Sequence, residues 1–112
     1  MVELIAIVRR NRAVATQQEL ARIGCQGYSR FAVLGRGRQR GLRGDDAARG
    51  VPFLPKVLFS VVVAEDAAQE TIEALMRANQ TGEFGDGKIF VLKSDEACRI
   101  STGERETATV ST

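Results

Sequence analysis

The chain has no histidine and no tryptophan, and only one tyrosine, two prolines and two cysteines among its 112 residues. Without histidine there is no imidazole to activate a serine or cysteine nucleophile and no histidine-containing zinc set. Cys25 and Cys98 stand far apart, without the paired spacing of a metal or redox motif, and two reduced thiols or one disulfide both fit them. Nothing beside either cysteine marks a lowered thiol pKa. The adjacent acids Asp45-Asp46 and Glu65-Asp66 read as solvated charge rather than as a buried dyad. These absences disfavour conventional hydrolase chemistry, and a non-enzyme is expected. No apolar run is long enough to cross a bilayer, and Met1-Val2-Glu3-Leu4 reads straight into a strand rather than into a cleavable leader. A cytoplasmic protein with no direct membrane insertion is therefore expected.

Aromatics make up 5% of the chain against 44% hydrophobic residues, so packing falls to Val, Ile, Leu and Ala within one compact domain. The net charge of +2 is too small for a general polyanion binder. The placement says more than the total, because Arg36, Arg38, Arg40 and Arg43 fall close together.

Leu4 to Val8 is a short apolar run suited to a buried strand, which Arg9-Arg10-Asn11 ends, with Asn11 placed to cap a helix over Arg12 to Ile23. Gly24 stands where a left-handed helix stop is wanted. Tyr28 to Leu34 predicts a second strand, and the segment from about 37 to 53 predicts a long loop, closed by the extended Pro52-Phe53-Leu54-Pro55. Val57 to Val63 is a third strand. Glu65 or Asp66 then opens a helix whose Ile72, Leu75, Met76 and Asn79 share the i, i+3, i+4, i+7 spacing. A glycine-rich turn leads to a fourth strand over Ile89 to Leu92, and a polar tail occupies about 93 to 112. The order β, α, β, loop, β, α, β is that of an α+β, ferredoxin-like βαββαβ sandwich. Both helices would cover one sheet face, and the other face needs cover from further subunits.

Three segments carry candidate chemistry. In Gly35-Arg36-Gly37-Arg38-Gln39-Arg40-Gly41 the glycines let backbone N–H groups turn toward an anion and the arginines add fixed charge, so the segment is a phosphate site or a solvated basic turn. Gly82-Glu83-Phe84-Gly85-Asp86-Gly87-Lys88 has the spacing of a Walker A loop through its lysine. It is not one: Ile89 stands where Ser or Thr would hold magnesium, and the loop joins a helix to a strand. It is a nucleotide loop of another geometry or a plain turn. Arg99-Ile100-Ser101-Thr102-Gly103-Glu104 could deliver Arg99 to a phosphate held elsewhere or stay solvated.

In order along the chain, Leu4-Ile5-Ala6-Ile7-Val8-Arg9, Gly35 to Gly41, Phe53-Leu54-Pro55-Lys56, Thr81 to Val91 and Thr102-Gly103-Glu104 resemble the nitrogen regulatory P-II family over nearly the whole sequence. That resemblance implies a homotrimer holding ATP or ADP in clefts between subunits. The nucleotide-binding positions would be Ile7, Ser29, Gly35, Arg36, Gly37, Arg38, Gln39, Val62, Gly85, Asp86, Gly87, Lys88, Arg99 and Ser101. It further implies 2-oxoglutarate bound with Mg-ATP by Gln39, Arg40, Gly41 and Lys56, with Gln39 on the magnesium. Ligand state would then set the shape of the long loop, which selects a partner such as an ammonium channel or a nitrogen-metabolism enzyme or regulator.

The chain departs from the family pattern at identifiable places. Its loop between Gly41 and Pro52 is shorter than usual and carries no tyrosine for uridylylation, so no covalent modification is expected. Ser101 stands where a second phosphate-contacting arginine is usual, which removes a charge-assisted contact. Arg36 with Asn79-Gln80-Thr81-Gly82 resembles the branch encoded with nitrogenase. Three alternative readings remain: an adenine-nucleotide sensor that has lost 2-oxoglutarate, a ferredoxin-like RNA-binding module, and a slow ATPase. The RNA reading lacks stacking aromatics, since Phe31 and Phe90 are isolated, and the ATPase reading lacks a general base.

Overall fold

The computed structural model describes residues 1–36 and 53–107. Gly37, Arg38, Gln39, Arg40 and Gly41, expected to bind nucleotide and 2-oxoglutarate, lie outside the described residues. Strand β1 (Val2–Arg9) alternates buried Val2, Leu4, Ala6 and Val8 with half-buried Glu3, Ile5, Ile7 and Arg9. This is the period-two signature of a strand whose two faces meet different surroundings. It starts earlier than the apolar run alone suggests because Val2 is paired on both sides, with Val63 and with Lys93.

Strands β2 (Tyr28–Gly35), β3 (Leu54–Val63) and β4 (Gly87–Lys93) complete an antiparallel sheet in the order β2-β3-β1-β4. The two longest-range pairings put β1 at the centre, and both helices lie over one face. This is the expected ferredoxin-like arrangement.

Asn11 does not cap the first helix. Arg10–Arg12 form a single 3-10 turn, and α1 (Ala13–Arg22) follows with Arg12 at the capping position and no side-chain cap bond. The chain gains a different contact: the Arg12 guanidinium donates to the Ala78 carbonyl from Nε at 2.7 Å and from the terminal nitrogen at 2.5 Å. A cation on a last-turn carbonyl of α2 (Ala68–Asn79) complements the negative end of that helix. At the other end of α1, Gly24 takes φ +80° as expected, with Gly24 N–H donating to Ala21 O and Cys25 N–H to Leu20 O.

The two helices pack through small residues. Ala13, Thr16 and Leu20 are buried on α1, and Thr71, Ala74, Leu75, Ala78 and Asn79 on α2. The buried meridian of α2 is therefore rotated from the Ile72-Leu75-Met76-Asn79 stripe read from the sequence, and Met76 is 43% exposed. Alanine and threonine let the helix axes approach, and that close approach outweighs the larger side chains one position away. Below them Leu4, Leu20, Phe59, Val61 and Leu75 form the core, with the Tyr28 ring tilted against Phe59 at 5.6 Å between centroids. Burial of a side chain such as Phe59 contributes about 1.5–3 kcal/mol.

On the opposite face, half-buried Ile5, Ile7 and Leu58 are bordered by exposed Phe31, Val62, Phe90 and Leu92. No element among the described residues covers them. Beyond β4, where a polar tail is expected, β5 (Glu96–Cys98) and β6 (Arg105–Thr107) form a separate two-stranded hairpin. Its turn closes through Arg99 N–H to Glu104 O at 2.8 Å and Gly103 N–H to Arg99 O at 2.7 Å, and Ile100 at the tip is 99% exposed. Cys25 and Cys98 are both free thiols.

Candidate ligand-binding site

The turn between α2 and β4 is organised by one carboxylate. Asp86 Oδ2 accepts from the Thr81 backbone N–H at 2.7 Å and the Gly82 N–H at 2.9 Å, and its Oδ1 accepts from the Thr81 hydroxyl at 2.5 Å with Arg9 3.2 Å away. These donors, the Thr81 hydroxyl foremost, then the Thr81 and Gly82 amides and the Arg9 charge, hold the Asp86 carboxyl below its ordinary range. The turn is thus closed upon itself through a side chain that reaches back to the amides four and five residues before it.

Gly87 is where this turn enters the sheet, and no other residue fits. Its φ is +115°, and a Cβ there would stand 2.0 Å from the Ile7 carbonyl oxygen and 3.3 Å from the Val8 Cα. The close approach puts the Gly85–Lys88 backbone against β1, where Val8 pairs with Gly87 and Ile7 with Lys88.

Two cations meet at the front of the turn. Arg9 donates to the Gly85 carbonyl from Nε at 3.0 Å and to the Phe84 carbonyl at 2.8 Å, and Lys56 Nζ donates to the same Gly85 carbonyl at 3.2 Å. Arg9 and Lys56 are cross-strand neighbours in the β1–β3 register, which explains their convergence. Burial, and after it the nearby Arg9 charge, push the Lys56 ammonium below its ordinary pKa, while Asp86 acts the other way. Gly35 completes the group: a Cβ on it would meet Lys56 Cγ at 3.1 Å. Gly35 and the exposed Arg36 stand at the end of β2, where the described residues stop.

The structure therefore brings Ile7, Gly35, Lys56, Gly85, Asp86, Gly87 and Lys88 into one neighbourhood. The other expected residues fall elsewhere in the single chain. Ser29 pairs with Ser60 and Val62 with Glu3, at the far end of the sheet. The six-residue step from Lys56 to Val62 along β3 is about 20 Å. Arg99 and Ser101 are exposed on the β5–β6 hairpin, and Arg99 stands 3.7 Å from Glu106. Arg9 is a member of the cluster that site reading from the sequence missed. Its signal was the strand register with Lys56, which no local motif encodes. Among the described residues there is no group of three or more His, Cys, Asp or Glu side chains able to hold a metal ion. Gln39, the residue expected on magnesium, lies outside them. Nor is any described helix long and apolar enough to cross a membrane.

Residues 1–104 match the family model described as nitrogen regulatory protein P-II. Among curated proteins, the chain is 37% identical over 117 residues to the nitrogen fixation nifHD1 region GlnB-like protein 2 of Methanosarcina barkeri, covering 94% of this chain and 95% of that protein. It is 41% identical over 108 residues to the nitrogen regulatory protein P-II of Rhizobium meliloti, covering 93% and 95%. Among solved structures, Arabidopsis thaliana PII bound to citrate superposes with a TM-score of 0.73 at 34% identity, over 94% of this chain and 87% of that one. The match spans both helices, all four sheet strands and the Gly85–Lys88 turn, and the chain belongs to the P-II family of nitrogen regulatory proteins.

Proposed function

We propose that this chain is a P-II-type signal transduction protein that binds ATP or ADP in clefts between three subunits and regulates a nitrogen-metabolism partner through its long loop. The observation that carries the reading is the sharing of one backbone carbonyl, Gly85 O, by Arg9 and Lys56. A neutral carbonyl is a weak partner for two cations, and a phosphate or carboxylate oxygen makes a stronger, charge-assisted bond. Arg9 already has the Asp86 carboxylate beside it, so Lys56, desolvated and held by that neutral carbonyl, is the cation that gains most from an anion. The citrate named with the Arabidopsis relative is an anion of the carboxylate kind.

In this reading the phosphates lie against the Gly85–Lys88 turn, with Gly35, Arg36, Gly37, Arg38 and Gln39 on the loop side. A 2-oxoglutarate carboxylate pairs with Lys56, and Gln39, Arg40 and Gly41 hold the rest of that ligand and the magnesium. The open sheet face, with Phe31, Val62, Phe90 and Leu92 exposed, supports the trimer, because an uncovered apolar face of this kind needs a partner. Assembly also supplies a reason for the distant positions of Ser29, Val62, Arg99 and Ser101, which would reach the cleft from neighbouring subunits. Ser101 in place of a cation leaves ATP with a smaller advantage over ADP than two arginines would give. The partner belongs to the ammonium-channel, nitrogen-enzyme or nitrogen-regulator class, and the protein performs no catalysis of its own.

Isothermal titration with ATP, ADP and AMP, each with and without 2-oxoglutarate and magnesium, tests the reading. Saturable adenine-nucleotide binding with one site per subunit is expected, tightened by 2-oxoglutarate only when Mg-ATP is present. Nucleotide binding indifferent to 2-oxoglutarate would select the sensor that has lost that effector. Failure of every adenine nucleotide to bind would end the proposal.

A further inference from the structure

The sheet face beneath the helices is left open near one end. In the β2–β3 register Arg30 lies opposite Phe59, Ala32 opposite Val57 and Leu34 opposite Pro55, so these β2 residues share the face that carries the core. Phe59 and Val57 are buried, whereas Leu34 is 69% exposed. What remains there is a trough of about 260 Å³ lined by Arg10, Arg30, Ala32, Leu34, Pro55 and Val57. Lys56 also borders it, but its ammonium is directed to the Gly85 carbonyl in the ligand cluster. The trough is therefore a surface apart from that cluster.

Its charge is unbalanced. Arg9, Arg22, Arg77, Arg99 and Arg105 each have a carboxylate partner. Among the described residues Arg10 and Arg30 have none, no Asp or Glu lines the trough, and Arg30 donates instead to the neutral Gln17 Oε1. A carboxylate would give either arginine a charge-assisted bond. Arg30 lies opposite Phe59, and Arg10 follows Arg9, which lies opposite Lys56, so the two cations are offset along β3 by about 10–13 Å. In an extended peptide, residues i and i+4 stand about 13 Å apart on one side with i+2 between them. We propose that the trough docks an extended acidic segment of a partner protein, with carboxylates at i and i+4 on Arg10 and Arg30 and an apolar side chain at i+2 against Ala32, Leu34 and Val57. A pocket for a whole small ligand measures about 300–1,000 Å³, so this smaller trough suits a few side chains of a larger partner. No aromatic ring lines it for a nucleobase to stack on, and two cations fall short of the cluster that a lipid surface recruits. The contact is separate from the long loop, and it rests on the reading under Proposed function only for there being a regulated protein partner.

The test is nitrogen–proton correlation NMR of the full chain, titrated with the end-blocked peptide Glu-Ser-Leu-Ser-Glu up to about 10 mM, a range that captures weak contacts. Saturable shifts are expected at the amides of Gln17, Arg30, Ala32 and Leu34. Affinity should fall at least about tenfold for the peptide Gln-Ser-Leu-Ser-Gln, for the double variant Arg10→Gln with Arg30→Gln, and for Leu34→Ser. All three substituted side chains are exposed, so the circular dichroism spectrum should not change. The absence of shifts, shifts centred on Lys56 and Lys88, or affinity indifferent to the three changes would overturn the docking site. Tighter binding of a single-stranded oligonucleotide at the same amides would overturn it in favour of nucleic acid. The same shifts on raising protein concentration alone would overturn it in favour of a second copy. ATP titration of the same proteins keeps the two proposals apart. Nucleotide binding without peptide shifts removes the trough and leaves the function, and peptide shifts without nucleotide binding do the reverse.

Discussion

Replacing Gly87 by alanine tests whether the turn that carries the ligand cluster is held by backbone contact with β1. The new Cβ would lie 2.0 Å from the Ile7 carbonyl oxygen and 3.1 Å from its carbonyl carbon, so the strands must separate by more than 1 Å or the glycine must abandon φ +115°. These neighbours are backbone atoms, which have no rotamer to escape into. Residence of a non-glycine residue in this region costs about 1–3 kcal/mol, and forcing extra volume into a packed contact costs about 1–3 kcal/mol more. A loss of about 2–6 kcal/mol is a large part of the stability of a domain this size. Gly82→Ala is the matched control: its φ is +85° in the same turn, but a Cβ there meets nothing within 4 Å. That variant should lose only about 1 kcal/mol, from backbone strain. Urea unfolding of both, at one protein concentration because assembly enters the measured stability, should move the Gly87→Ala midpoint down by about 1–3 M and the Gly82→Ala midpoint by less than about 1 M. Equal midpoints for the two variants would refute the contact as the reason for glycine at position 87.

Phe59→Ala removes the largest fully buried side chain among the described residues and the ring against which Tyr28 packs, and should cost about 3–5 kcal/mol in the same urea assay. Asp86 has a depressed folded pKa, so its contribution is present above the unfolded value and is lost as pH falls through the folded one. Amide exchange at Thr81 and Gly82 should therefore lose protection only as pH falls below the ordinary aspartate range, and Asp86→Asn should show reduced protection at neutral pH. Lys56 has a lowered folded pKa, so the unfolded chain binds more protons in the window between the folded and unfolded values, and stability gains from this group as pH rises through it. Lys56→Met should flatten that alkaline rise in thermal unfolding, and an unchanged slope would contradict the desolvation of the ammonium.

The strands were legible because Leu4 to Val8 and Val57 to Val63 are apolar runs of strand length, and the first helix is bounded by punctuation such as Gly24. The capping of α1 was not, because Arg12 is recruited by Ala78, 66 residues later, and only the fold makes that bond available. The face of α2 was misread for a related reason. A hydrophobicity period rewards Ile72 and Met76, whereas helix pairing rewards the small Ala74 and Ala78, and close packing decides. At the candidate site, the glycines and the single lysine of the Gly82–Lys88 segment were visible as a motif. Arg9 was not, since its part comes from lying opposite Lys56 in a register that no contiguous segment contains. The β5–β6 hairpin escaped notice because its strands are three residues each and mostly polar, too short to leave a periodic trace.

The central position of β1 has a consequence for how the protein is made. β1 is made before both of its partners and pairs on one side with Leu54–Val63 and on the other with Gly87–Lys93, ending in the Val2–Lys93 pair. During most of synthesis it has no neighbour, and its Leu4, Ile5, Ile7 and Val8 must be kept from straying into other chains. Sheet formation is accordingly a late, nearly whole-chain event dominated by long-range closure. Slowing translation early in the message should change the yield of folded protein little, whereas a stall before residue 87 leaves an apolar strand waiting for its second partner.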